Sequence, residues 1–205
     1  WNRSFELGRE QPAAGVVLLH GLSDSPYSMR TLAQAMHGRG ATVLGLRIPG
    51  PGTAPSGLVE TRWQDMAAAV RLAVRHMHEV VGDRPVYLVG YSNGGALAVE
   101  YTLAALEDDS LPGVAGVILL SPEIGVSRVA ALAVWQARLG HLLGLEKLAW
   151  NALLPEYDPY KYGSFAVNAG DLADRITAHI QEQLGALEGT GKLDNMPPIL
   201  AFQSS

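Results

Sequence analysis

The chain contains no cysteine. Disulfides, thiolate metal sites and a cysteine nucleophile are thereby excluded, while the redox compartment stays open. Charge is also scarce: Asp, Glu, Lys and Arg make up 17% of 205 residues, with 15 basic against 20 acidic side chains and a net charge of −5. No Lys/Arg cluster interrupts that balance, so neither nucleic acid nor an anionic membrane surface is an expected partner, and a neutral or apolar small molecule is. There is no run of about 18 apolar residues, the length a bilayer-crossing helix needs. Trp1-Asn2-Arg3-Ser4 lacks the pattern of a signal peptide, so any targeting segment or anchor is expected to have been removed or to lie outside these residues. Localisation and oligomeric state are not legible.

What is present is enough apolar material, 48% of residues, to bury a core in one domain carrying an insertion. Short apolar runs at 16–20, 42–46, 86–89, 114–120 and 199–203 have the character of strands covered on both faces, as in a parallel sheet. Helical spacing separates them. Ser25-Pro26 is a helix start, Met29, Leu32, Ala33 and Met36 form one apolar face, and Gly38 or Gly40 ends it. Met66, Val70, Ala73, Met77 and Val80 or Val81 predict a second helix over 63–81. The expected fold is a doubly wound, mostly parallel α/β sheet.

After Leu120 the alternation stops. Residues 121–195 are too long for an ordinary crossover and are expected to form a helical cap, between a core part at 1–120 and a returning core strand at 196–205. Val129, Leu132, Ala133, Gln136, Leu139 and Leu143 mark its first helix, and Leu172, Ile176, Ile180 and Leu184 its last. Trp135, Trp150, Tyr157, Tyr160 and Tyr162 either pack the cap or wall an apolar substrate pocket.

Residues 86–95 carry the chemistry. An apolar strand runs into Gly90-Tyr91-Ser92-Asn93-Gly94, a G-x-S-x-G pattern placed where a strand turns sharply into a helix. Such a turn strains the serine backbone, projects its hydroxyl, and packs neighbouring chain too closely for side chains at the two glycines. Ser92 is accordingly the candidate nucleophile. Acyl transfer also needs donors for the developing oxyanion, and the backbone amides of Leu22, in His20-Gly21-Leu22 after the first strand, and of Asn93 are the candidates. His20 is read as a residue that shapes this loop, because it precedes the serine where the order serine, acid, histidine would have it follow.

His20-Gly21-Leu22-Ser23-Asp24-Ser25-Pro26, Arg47-Ile48-Pro49-Gly50-Pro51-Gly52-Thr53 and Gly90-Tyr91-Ser92-Asn93-Gly94, in this order after successive strands, resemble the serine α/β-hydrolases. The likeness is to bacterial carboxylesterase, lysophospholipase and monoacylglycerol lipase-like members, and departs at Pro51, where histidine is frequent. It implies an α/β-hydrolase fold, a small-molecule ester substrate, an acyl-enzyme on Ser92, and no metal or organic cofactor. It also implies an acid after the strand that follows the cap and a histidine after the last strand. Neither is present, and the expectation is of a chain that stops before both. His37, His76 and His78 are read as solvated, His141 and His179 as surface or interface histidines within the cap. Glu123, in Ser121-Pro122-Glu123 at the carboxyl edge of the sheet, is a possible alternative acid or a carboxylate at the cap hinge. A thioesterase, or a non-catalytic protein of the same fold that binds a hydrophobic ligand, remains an alternative function.

Overall fold

Residues 2–51, 54–124, 150–152 and 154–203 are described by a computed structural model, whose main element is a six-stranded sheet. In chain order its strands are β1 (Phe5–Leu7), β2 (Ala14–Leu19), β3 (Ala41–Leu46), β4 (Val86–Tyr91), β5 (Gly116–Leu120) and, last, β8 (Ile199–Phe202). They lie in the order β1-β3-β2-β4-β5-β8, all parallel except β1, which runs antiparallel to β3. A separate antiparallel pair joins β6 (Trp150–Ala152) to β7 (Phe165–Ala166). The helices are α1 (Arg30–Gly38), α2 (Trp63–Val81), α3 (Asn93–Glu107) and α4 (Val167–Leu187).

Side chains alternate across a strand, and here both faces are apolar. Val17 and Leu19 of β2, Leu88 of β4 and Val117 and Leu119 of β5 enter one buried cluster, shared with α2, α3 and α4. Val16, Leu18 and Val89 enter the other, beneath α1 with its Ala33 and the Met29 that precedes it. The mostly parallel α/β sheet read from the sequence is therefore the fold of this chain. Strand β1 has no comparable signal: three residues are too few for a period, and pairing depends on Gly45, where any Cβ would collide with the Phe5 ring.

The expected cap ends differently from its sequence reading. Leu172, Ile176 and Ile180 of α4 are buried in the same cluster as the central strands, and α4 packs on α3 and α2. It thus serves as the crossover helix between β5 and β8 instead of standing over the site. The first expected cap helix falls at 125–149, outside the described residues. Helix α3 is consequently covered on all sides, and Asn93 to Ala104 are all buried.

Within that enclosure lies one charge. The Glu100 side chain is 0% exposed, and Arg71 of α2 meets it with two bonds, Nη2 to Oε1 at 2.6 Å and Nη1 to Oε2 at 3.3 Å. From α4, His179 comes within 4.0 Å of the same carboxylate and lies against the Trp63 ring, tilted by 33° with centroids 4.6 Å apart. The bidentate pair ties α2 to α3, and His179 brings α4 to the same point. At the sheet's edge, by contrast, Ile199, Leu200 and Phe202 of β8 are exposed.

Candidate active site

The site is built where β2, β4 and β5 end. Ser92, between β4 and α3, has φ 53° and ψ −121°, a region that L-residues rarely occupy. Three backbone bonds hold it there: its N–H donates to Leu120 O at 3.0 Å, and its carbonyl accepts from Gly95 N at 2.8 Å and Glu123 N at 3.1 Å. The glycines explain the sharpness of the turn. A Cβ on Gly90 would run into the Gly94 carbonyl, and one on Gly94 into the Leu19 carbonyl, so backbone packs directly on backbone on both sides of the serine.

Across from it stands the loop after β2. A Cβ on Gly21 would lie 3.2 Å from Ser92 Cβ, which places this loop in contact with the serine side chain. Leu22 is buried, and its N–H donates to no backbone acceptor among the described residues. Asn93 opens α3, and the N–H groups of a first turn have no acceptor within their own helix. Half-buried Ser92 and both candidate donors therefore share one corner of the molecule.

His20 is wholly buried and fully occupied. Its Nδ1 lies 2.8 Å from Gly21 O, and the Ile48 N–H donates to Nε2 over 3.1 Å. Since Nε2 accepts, Nδ1 carries the proton and the ring is neutral. Burial lowers its pKa from 6.5 to about 4, the Gly21 carbonyl bond opposing only in part. A ring so engaged ties the β2 loop to the β3 loop and has no free nitrogen for Ser92. The unfolded ring takes up its proton near pH 6.5 and the folded ring only near 4, so stability is full above 6.5 and is lost as pH falls through this window. The expected amount is about 3 kcal/mol. Thermal unfolding of His20→Asn should show a variant less stable than the parent at pH 7, with the gap narrowing toward pH 4.

Glu123 arrives by a second strained turn. Ser121 has φ 42°, its N–H donates to Phe202 O at 2.7 Å, and Pro122 lies against Gly95, where an added Cβ would be 2.9 Å from the proline Cβ. The result sets Glu123 beside the serine, with the Ser92 hydroxyl donating to Oε2 at 3.5 Å. Burial raises the Glu123 pKa and the bond from Ser92 partly opposes this. This direct contact differs from the arrangement of an acid acting through histidine, in which the imidazole lies between acid and serine.

The other histidines are engaged elsewhere. His37 contacts Ala41 O, His76 pairs with Glu6, His78 contacts Gly113 O, and His179 belongs to the Glu100 cluster. His141 lies outside the described residues. Among the described residues no histidine contacts Ser92, and no group of three or more His, Asp or Glu could hold a metal ion.

Beside the site is a cavity of about 690 Å³, lined by Tyr27, Met29, Leu32, Tyr91, Leu120 and Tyr160. Tyr160 stacks on Tyr27 at 3.6 Å, and Tyr162 N donates to Ser23 O at 2.8 Å, so the segment around them rests on the β2 loop. Asp24 borders the cavity, its pKa raised by burial, with Lys161 lowering and Asp158 raising it further. Of the other aromatics, Trp150 packs on the main core, Tyr157 is exposed, and Trp135 lies outside the described residues.

Comparison with known proteins follows the same lines. The family described as serine aminopeptidase, S33, matches residues 10–179. A thermostable monoacylglycerol lipase from Bacillus sp. (strain H-257) is 30% identical over 122 residues, 60% of this chain and 46% of that protein. Phospholipase YtpA from Bacillus subtilis (strain 168) is 26% identical over 147 residues, 71% of this chain and 51% of the relative. The chain thus spans about half the length of the curated relatives it matches. A solved structure from the metagenome-derived lipolytic enzymes LipS and LipT superposes with a TM-score of 0.69 at 20% identity, covering 98% of this chain and 87% of that one. That likeness is one of fold.

Proposed function

The chain belongs to the serine aminopeptidase S33 family of lipase- and esterase-like α/β-hydrolases, and from that premise we propose that it is a serine hydrolase of carboxylic esters with Ser92 as nucleophile. The observation that carries this reading is the strained Ser92 turn, pressed between the Gly21-Leu22 loop and the first turn of α3. In the proposed reaction Ser92 Oγ bonds to the acyl carbon while its proton passes to a base, and the oxyanion is held by the Leu22 and Asn93 amides. Collapse expels the alcohol with that proton, leaving an acyl-enzyme that water then hydrolyses. We assign the base to a histidine and its orienting acid to residues beyond 205, as the order serine, acid, histidine demands.

The substrate proposed is a small ester with an apolar acyl group. The cavity lined by Met29, Leu32, Tyr91 and Leu120 supports this, as do the lipase and phospholipase named among the relatives. A second reading, a hydrophobic ligand-binding protein without turnover, draws support from the absence of any histidine contact to Ser92 among the described residues. An alkyl fluorophosphonate separates the two. On the protein including the residues beyond 205, labelling should add the phosphonyl mass to the peptide containing Ser92. An unmodified Ser92 after prolonged exposure sinks the hydrolase reading and favours the binding one.

A further inference from the structure

Among the described residues Glu123 is the one carboxylate hydrogen-bonded to Ser92, and neither the acyl-enzyme chemistry nor the fold accounts for its charge. Its backbone N–H braces the turn by donating to Ser92 O, a role that any residue except proline would fill. The side chain is half-buried, and among the described residues its one hydrogen bond is the long 3.5 Å contact from the Ser92 hydroxyl. Among the described residues it has no ion-pair partner. This contrasts with Glu100, where the same side chain, fully buried, is met by a bidentate arginine. A partly desolvated carboxylate costs free energy that a cation recovers, and this one lies directly against the Ser92 hydroxyl.

We propose that Glu123 is a specificity-determining residue that selects esters bearing a positive charge close to the scissile carbonyl and rejects those bearing a carboxylate there. The inference rests on Ser92 being the nucleophile. Its basis is distance and position: a substrate whose acyl carbon touches Ser92 Oγ brings its neighbouring atoms within a few bonds of Glu123. In a site from which bulk water is partly displaced, a cation at that range is attracted and an anion repelled far more than at the open surface. The strain at Ser121 fits such a use, because φ 42° is the conformation that carries Pro122 onto Gly95 and Glu123 onto the serine.

The test uses three fluorophosphonates of matched size, with a quaternary ammonium, a tert-butyl group or a carboxylate at the same short distance from phosphorus. Each bonds phosphorus to Ser92 Oγ and loses fluoride, so the labelling rate reports access to the serine. At pH 8 the cationic probe should label about tenfold faster than the neutral one, and the anionic probe slower still. In Glu123→Gln the three rates should converge, and in Glu123→Asp the preference should persist in weaker form. Equal rates for all three probes on the parent protein overturn the proposal, as does a preference unchanged in Glu123→Gln. A uniform loss across the probes in a folded Glu123→Gln protein overturns it too, since that marks a purely structural role. Failure of every probe to modify Ser92 removes the nucleophile assignment itself, and the charge selectivity with it.

Discussion

Replacing Ser92 with alanine should reduce ester hydrolysis by on the order of 10⁴-fold or more, to the level that oxyanion donors and binding alone sustain. The size of the effect comes from the loss of the covalent step, in which the proposed nucleophile is Ser92 Oγ and Glu123 is too weak a nucleophile to substitute. The variant should nonetheless fold, because the bonds that hold residue 92 are made by its backbone, to Leu120, Gly95 and Glu123. Alanine does keep a Cβ at φ 53°, so the strain is retained and not relieved. Initial rates on nitrophenyl esters of increasing acyl length, with thermal unfolding of the same samples, check both halves. Full activity in Ser92→Ala rules out the serine mechanism. A rise in rate with acyl length in the parent would support an apolar acyl substrate.

The largest change in stability is expected from Arg71→Met. Glu100 is enclosed by α2, α3 and α4, and its carboxylate is compensated by the two Arg71 bonds. Methionine conserves much of the arginine stem but strands the charge, a loss of about 3–5 kcal/mol for a buried pair broken from one side. His179, at 4.0 Å, is too distant to replace the guanidinium. The double variant Arg71→Met/Glu100→Met removes both charges and should regain most of the loss. Urea unfolding of the parent, both single variants and the double gives the coupling directly. Equal stability of Arg71→Met and the parent would mean that the pair contributes nothing.

Legibility in the sequence followed the length of each periodic signal. Helix α2 spans Trp63–Val81 as its apolar spacing predicts, since nineteen residues give five turns of phase. Three-residue β1 gives none. The stripe Leu172, Ile176, Ile180 was enough to expect a helix but not to choose what it covers, for an amphipathic face specifies that a partner exists and not which one. The Ser92 turn and the crowded glycines were visible as a pattern because backbone strain restricts residue type. The contact between Ser92 and Glu123 was not, as it depends on Ser121 holding a positive φ that serine does not advertise. Glu100 left a trace that is easy to pass over, a lone acid in the apolar stretch from Gly94 to Ala105.

The strand at the sheet's edge has a bearing on when the Ser92 turn takes its final form. Ser121 is fixed by a bond to the Phe202 carbonyl of β8, and the 121–123 turn in turn grips Ser92 through the Glu123 N–H. The geometry at Ser92 is therefore completed only after the chain has closed a very long loop and docked β8. Such non-local pairings form late, because their closure entropy is met before any contact rewards it. A nascent or half-folded chain would carry Ser92 without the strained backbone posture that these bonds hold.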